Sequence, residues 1–298
     1  MPSFRTAREQ AYHAVRRRVA LGKARHDAKD DGKIHSVRTA QAYTQALHGF
    51  ARFIQENRLG DLKTATVHDA TAYLQEPQES GLSQKSLDLD RQALQCHFQQ
   101  PLERLRAVSE TVLSTRSYTP AQIREIAAHQ NERNALATCI AFAAGLRAHE
   151  LQTLRLVVER PPSTHRIWRT DRFSARNGHR YTVEGKGGLV REILIPHDLA
   201  VRLESYRIAE GPVAITDRGI NYLKYYNIGS GKNWSTSFSR VSRTRLGWSN
   251  GAHGVRHTYA QQRMSELQMS GYPYQDALGV VAQELGHFAP STTEAYLR

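Results

Sequence analysis

The chain of 298 residues is predicted to be mostly α with a small antiparallel β-sheet, an α+β fold in two domains. Three observations predict this. Tyr43, Leu47, Phe50 and Ile54 recur four, three and four residues apart, the first of several helical stripes within 36–112. Between Val157 and Pro196 the period shortens to that of strands. Between these regions, Thr119-Pro120-Ala121-Gln122 is a fresh helix start, with Thr119 as N-cap, Pro120 at the first helical position and Gln122 completing a capping box. The length also suits two domains.

Residues 1–35 are polar and basic, with Arg5, Arg8, Arg16, Arg17, Arg18, Lys23, Arg25, Lys29 and Lys33 outnumbering the acids. Tyr12, Val15, Val19 and Leu21 form only a weak stripe there. This reads as a basic N-terminal arm, either touching DNA phosphates or simply solvated. The helix opened at Ser36 ends by Gly60. Thr66-Val67-His68-Asp69 starts a second helix carrying Tyr73 and Leu74, which Pro77, Ser80 and Gly81 end. Ser83 opens a third, with Leu87, Leu94 and Phe98 inward and Lys85 and Arg91 available outward. Residues 36–112 are thus a small all-helical module.

Residues 113–119, with Arg116, read as a linker, and 120–298 as the second domain. Ala135 to Ala144 is apolar and small, fit for a buried helix that Gly145 ends. His179 to Glu184 and Leu189 to Ile195 flank Gly185-Lys186-Gly187-Gly188, a hairpin by its turn chemistry. Residues 159–178, rich in Arg, Ser and Pro, read as an irregular insertion before it. Helical patterning resumes near His197 and runs, with interruptions, to the end.

A net charge of +13 and a pI near 10.0 favour a polyanionic partner, nucleic acid first. Arg240 and Arg243 join Lys85, Arg91 and Arg116 as candidate DNA contacts. Two cysteines, Cys96 and Cys139, exclude a disulfide scaffold and a Cys-rich zinc site. No apolar run reaches the roughly 20 residues that span a bilayer, and the N-terminus lacks the apolar core of a secretory signal. A reducing cytoplasm is expected.

Chemistry concentrates in a few clusters. Arg147 emerges from an apolar helix with Glu150 three residues on, which fits either a local salt bridge or a guanidinium held ready for a phosphate. His253 and Arg256, three apart on a helix, share a face and suit a phosphoryl-transfer site, which needs cationic donors and a proton carrier. His253 and His257 stand four apart, but Gly254 replaces the Glu of a zinc-protease helix, so a zinc site is disfavoured. Lys186 sits in a Gly-rich turn. That turn fails the Walker pattern, as does Gly231-Lys232, where Tyr226 replaces the first Gly. Ser291-Thr292-Thr293-Glu294 reads as a capping box that places Tyr296 early in a short helix. Alone, Tyr296 fits a surface aromatic and His287 a helix C-cap.

The ordered set resembles the tyrosine recombinases, the phage integrase family of Xer and lambda type. Its signatures are Gly-Leu-Arg-x-x-Glu-Leu at 145–151, His-x-x-Arg-His-Thr at 253–258, and Leu-Gly-His at 285–287 followed by Tyr296, with Gly185-Lys186-Gly187 between the first two. The resemblance covers about 36–298 and implies a clamp of a SAM-like core-binding domain and a catalytic domain. It implies strand cleavage and rejoining through a 3′-phosphotyrosine, without metal, ATP or cofactor. Tyr296 is the implied nucleophile, Arg147 and Arg256 the phosphate ligands, and Lys186 the acid for the leaving 5′-oxygen. His253 helps deprotonate Tyr296, His287 contacts the phosphate, and Glu150 and His257 support them. The implied partners are paired double-stranded DNA recombination sites, a homotetramer (one dimer per site), and accessory DNA-bending or directionality factors, in a bacterial nucleoid. Many relatives carry a segment after the tyrosine that docks on a neighbouring protomer; here Leu297 and Arg298 follow it. Two other readings share the residues: a type IB topoisomerase-like strand transferase, and a non-catalytic DNA-binding protein on the same fold.

Overall fold

The computed structural model describes residues 5–21, 32–79, 82–108, 115–185 and 187–297. The chain divides into two compact units, Met1–Leu113 and Ser114–Arg298.

The first unit is helical. Its helices are α1 (Ala7–Arg16), α2 (Val37–Glu56), α3 (Val67–Glu79) and α4 (Gln84–Phe98). The side chains of Thr6, Ser36 and Ser83 cap α1, α2 and α4 through backbone N–H groups of the first turn. Leu47, Phe50, Ile54, Leu74 and Leu94 form the core, with the Phe50 ring 5.4 Å from Tyr73 and 6.0 Å from Phe98. Two features differ from expectation. Residues 7–16, read as part of an arm, are a helix that packs into this core through Ala7, Ala11 and Val15, whereas Tyr12 stays exposed. Small side chains at four-residue spacing allow close helix approach but give a weak hydrophobic signal. In addition, α3 runs through Pro77 to Glu79 rather than stopping before it.

The second unit begins with α5 (Pro120–Ala128) and α6 (Glu132–Ala144). The capping box of Thr119 and Gln122 forms as expected. Strands β1 (Arg155–Leu156), β2 (His179–Glu184) and β3 (Val190–Ile195) make an antiparallel sheet in that order, with Val183 opposite Arg191. Then come α7 (His197–Glu204), β4 (Val213–Asp217) and β5 (Ile220–Lys224). The β4–β5 hairpin was not anticipated. Its two-residue turn, Arg218-Gly219, has positive φ at both positions, the turn that suits strand twist. Helices α8 (Gly231–Leu246), α9 (Gly254–Met269), α10 (Tyr274–Glu284) and α11 (Pro290–Glu294) complete the unit. Among the described residues, no helix is long and apolar enough to cross a membrane.

Trp234 and Phe238 of α8 pack with Ile140 and Leu136 of α6 in the main core, while Tyr259, Met264, Leu278 and Val281 join α9 to α10. Residues 159–178 form no regular helix or strand but are tied along α9 and α10. Arg169 N–H donates to Gln283 Oε1 at 2.6 Å, Phe173 N–H to Glu284 Oε1 at 2.8 Å, and Arg176 pairs with Glu266 at 2.8 Å. Glu284 is itself fully buried and also accepts from Arg263 and from the Tyr259 hydroxyl. This fastening fixes the end of α10, from which part of the site projects.

Candidate active site

Two helix ends of one kind present the first residues of the site. At the end of α6, Gly145 adopts φ +61° and Leu146 N–H returns to Ala141 O. At the end of α10, Gly286 adopts φ +74°, Gly286 N–H bonds to Gln283 O and His287 N–H to Ala282 O. Both are reversals that need a left-handed residue, hence glycine. The space is also closed to a side chain: a Cβ on Gly145 would lie 2.7 Å from the Tyr259 ring, and one on Gly286 2.9 Å from Arg191 Cδ. Arg147 follows the first reversal and His287 the second.

Arg147 folds back on Glu150, its N–H 2.8 Å from Oε2 and its Nη1 2.7 Å from Oε1. Glu150, in a single 3-10 turn from Glu150 to Gln152, is fully buried. Arg191 Nη2 donates to its Oε2 at 2.8 Å, and Arg256 Nη1 lies 3.6 Å from the same oxygen. Burial alone would raise the Glu150 carboxyl, but Arg191, Arg147 and Arg256 together hold it well below the usual carboxylate range. Three guanidiniums share one carboxylate, so the site is positively charged before any anion enters.

Arg256, also fully buried, donates Nη1 to Gly145 O at 2.6 Å and Nη2 to Leu285 O, which joins the two helix ends. Burial and then the adjacent Arg147 cation push its pKa down, yet a guanidinium keeps its charge at neutral pH. His287 Nε2 lies 3.1 Å from Arg147 Nη2 and 3.4 Å from Arg256 Nη2. Burial, then Arg256 and Arg147, depress His287 to about 3. His253 precedes α9. Although the residue is exposed, desolvation by the surrounding protein and then Arg256 lower it to about 4. Both imidazoles are therefore neutral at pH 7.

Tyr296 closes the site. Its ring centroid lies 4.6 Å from His257, 5.4 Å from His287 and 5.5 Å from His253, and the Arg256 guanidinium carbon lies 5.6 Å from it. Arg147, whose pKa burial would lower, is instead raised by Glu150 and then by Tyr296. Tyr296 does not lie within a helix capped by Ser291. The helix α11 starts at Pro290 with Ala289 before it, and Tyr296 follows in a turn, its N–H 2.8 Å from Thr293 O. His257 is buried beside it, and Gln261 Nε2 donates to Tyr296 O at 3.3 Å.

Arg147, Glu150, His253, Arg256, His257, His287 and Tyr296 are thus brought together. Lys186 lies outside the described residues; the preceding Gly185 sits where a Cβ would be 3.5 Å from Glu150 Oε1. Lys85, Arg116, Arg240 and Arg243 are exposed. Arg91 differs from its outward expectation: it is half-buried and donates to Leu102 O at 3.1 Å.

Sequence reasoning missed Arg191 and Thr293. Arg191 shares the buried face of β3 with Ile193 and Ile195, and its Nη1 donates to Glu284 O at 2.5 Å. A charged residue at a core position of an apolar strand was the available signal. Thr293 is fully buried, and its hydroxyl lies 3.0 Å from His287 Nδ1.

Residues 32–104 match the family described as the phage integrase N-terminal SAM-like domain. No curated protein matches the chain. Among solved structures, the XerH site-specific recombinase in a post-cleavage complex with palindromic difH substrate is similar over 98% of this chain and 90% of that one, at 16% identity and TM-score 0.58. A lambda integrase fragment, solved as a dimer bound to a COC′ core site, is similar over 88% of each chain, at 17% identity and TM-score 0.54. The chain has the tyrosine recombinase fold. Its N-terminal part carries the SAM-like domain of phage integrases.

Proposed function

We propose that this protein is a site-specific DNA recombinase or integrase that cuts and rejoins DNA strands through a 3′-phosphotyrosine. The observation that supports it best is the placement of Tyr296 among two guanidiniums and three imidazoles, in a site that carries surplus positive charge. Phosphoryl transfer needs that charge on the non-bridging oxygens, and Arg147 and Arg256 are the donors for it.

In the proposed step the Tyr296 hydroxyl oxygen bonds to phosphorus as the bond to the 5′-oxygen breaks. The phenolic proton passes to His253, which is neutral at pH 7 and able to accept it. Lys186 gives a proton to the departing 5′-oxygen. His287 contacts a phosphate oxygen, while Glu150 and His257 hold the arginine and the tyrosine. The phosphotyrosine keeps the energy of the phosphodiester, so rejoining is the reverse attack by a 5′-hydroxyl and needs neither ATP nor metal. On this reading 36–112 is the core-binding domain, 120–298 the catalytic domain, and two dimers on paired sites make the working tetramer.

The test is a pool of duplexes with randomised cores and a nick that lets the short 5′-hydroxyl fragment escape, incubated with wild type and Tyr296→Phe. Wild type is expected to give a protease-sensitive protein–DNA band on a denaturing gel, and Tyr296→Phe none. Tight binding without adduct in wild type would favour a non-catalytic DNA-binding protein. Adduct at every sequence alike would favour the topoisomerase-like alternative.

A further inference from the structure

Beyond the residues assigned so far, the geometry points to Thr293 as a positioning residue that accepts the Nδ1 proton of His287 and sets the register of Tyr296 together. A guanidinium has only donors to offer. The two guanidinium nitrogens facing His287 Nε2, at 3.1 Å from Arg147 and 3.4 Å from Arg256, therefore require an unprotonated nitrogen there. The neutral ring must then carry its proton on Nδ1. The atom facing Nδ1 is the Thr293 hydroxyl oxygen at 3.0 Å, which accepts that proton. Thr293 is fully buried, so water does not substitute for it.

The same residue holds the nucleophile's segment. Its carbonyl accepts the Tyr296 N–H at 2.8 Å, so one turn anchors both groups. The hydroxyl also anchors α11, which lacks a side-chain cap of its own. With Nδ1–H fixed in this way, His287 can donate to a phosphate oxygen only by taking a second proton, on Nε2. The negative charge of an arriving phosphate favours that by raising the imidazole pKa.

The tautomer itself does not depend on the recombinase reading; only its effect on strand cleavage rests on that reading. The full-length protein, labelled with nitrogen-15, would be examined through two-bond proton–nitrogen correlations of its imidazoles, with His287→Gln to assign the signal. Wild type and Thr293→Ser are expected to show His287 as the single Nδ1–H tautomer at pH 7. Thr293→Val, of similar shape without the hydroxyl, is expected to keep the Nδ1–H tautomer that the guanidiniums impose but to lose the downfield, slowly exchanging Nδ1–H signal of the hydrogen-bonded ring. An Nε2–H ring in wild type, or an unchanged Nδ1–H signal in Thr293→Val, overturns the proposal, and the wild-type spectrum decides even where a variant fails to fold.

A second readout is the rate of adduct formation on the nicked duplex. It is expected to fall roughly tenfold in Thr293→Val, as for loss of one buried hydrogen bond, with DNA affinity unchanged and Thr293→Ser close to wild type. Equal losses in both variants would mean that Thr293 only packs, and would overturn the role. If wild type makes no adduct but shows the expected tautomer, the recombinase reading fails and this inference stands.

Discussion

Glu150 is a carboxylate with no access to water, held by three guanidiniums at 2.7, 2.8 and 3.6 Å. Removing one partner of a buried ionic group leaves the others uncompensated, which typically costs about 3–5 kcal/mol. Glu150→Ala should therefore lose stability of that order, read as a lower midpoint in urea, whereas Arg240→Gln on the exposed face of α8 should change it little. The sign of the acid response follows from the same residues. A carboxyl depressed by folding contributes stability above its unfolded pKa of about 4.3, and loses it as pH falls through the folded value. His253 and His287 are depressed too, to about 4 and about 3. Their neutral forms contribute fully above the unfolded pKa of about 6.5, and that contribution declines as pH falls towards those values. The melting temperature should thus begin to drop below pH 6.5, before any ordinary carboxylate titrates, and His287→Gln should lessen the drop. A melting temperature that stays flat from pH 6.5 to 4.5 would contradict the placement of these rings.

At the scale of elements, the site depends on the helix ends at Gly145 and Gly286. A non-glycine residue held at left-handed φ costs about 1–2 kcal/mol before any clash. At Gly286 the new methyl would also meet Arg191 Cδ. Gly286→Ala should lower the urea midpoint and slow adduct formation by displacing His287, so an unaltered rate would show that the turn does not set that ring. These turns were legible in the sequence because helix-end chemistry is local: Gly-Leu-Arg and Leu-Gly-His each declare a reversal and name the residue it delivers. What was not legible depends on pairing across the chain. Arg191 reaches Glu150 over 41 residues and Glu284 over 93, and nothing beside it announces either partner. Neither strand of the β4–β5 hairpin has a buried residue, so both lacked the core positions that marked β2 and β3. Ser291 was read as a cap because it matched a local pattern, but the chain enters α11 at Pro290 and uses Thr293 inward instead. Helix α1 was obscured by its small buried residues.

At the scale of the whole molecule, the charge of +13 is the property that matters most for a DNA partner. Each phosphate neutralised by a lysine or arginine releases condensed counterions, so the logarithm of the binding constant should fall linearly with that of salt, at about −0.9 per phosphate on duplex DNA. The structure distinguishes which basic residues can contribute. Arg240 and Arg243 stand three apart on the exposed side of α8, with no acidic partner among the described residues and with their charge open to solvent. Arg91 already donates to the Leu102 carbonyl and lies 3.9 Å from Asp88. In fluorescence anisotropy with a labelled duplex, replacing both Arg240 and Arg243 by Gln should weaken binding and make the slope shallower by about 2. Arg91→Gln should leave the slope unchanged while lowering stability, because its role is to satisfy a carbonyl of its own unit. A wild-type affinity insensitive to salt would count against DNA as the partner. An equal slope change in both variants would instead show that the half-buried Arg91 turns outward when DNA binds.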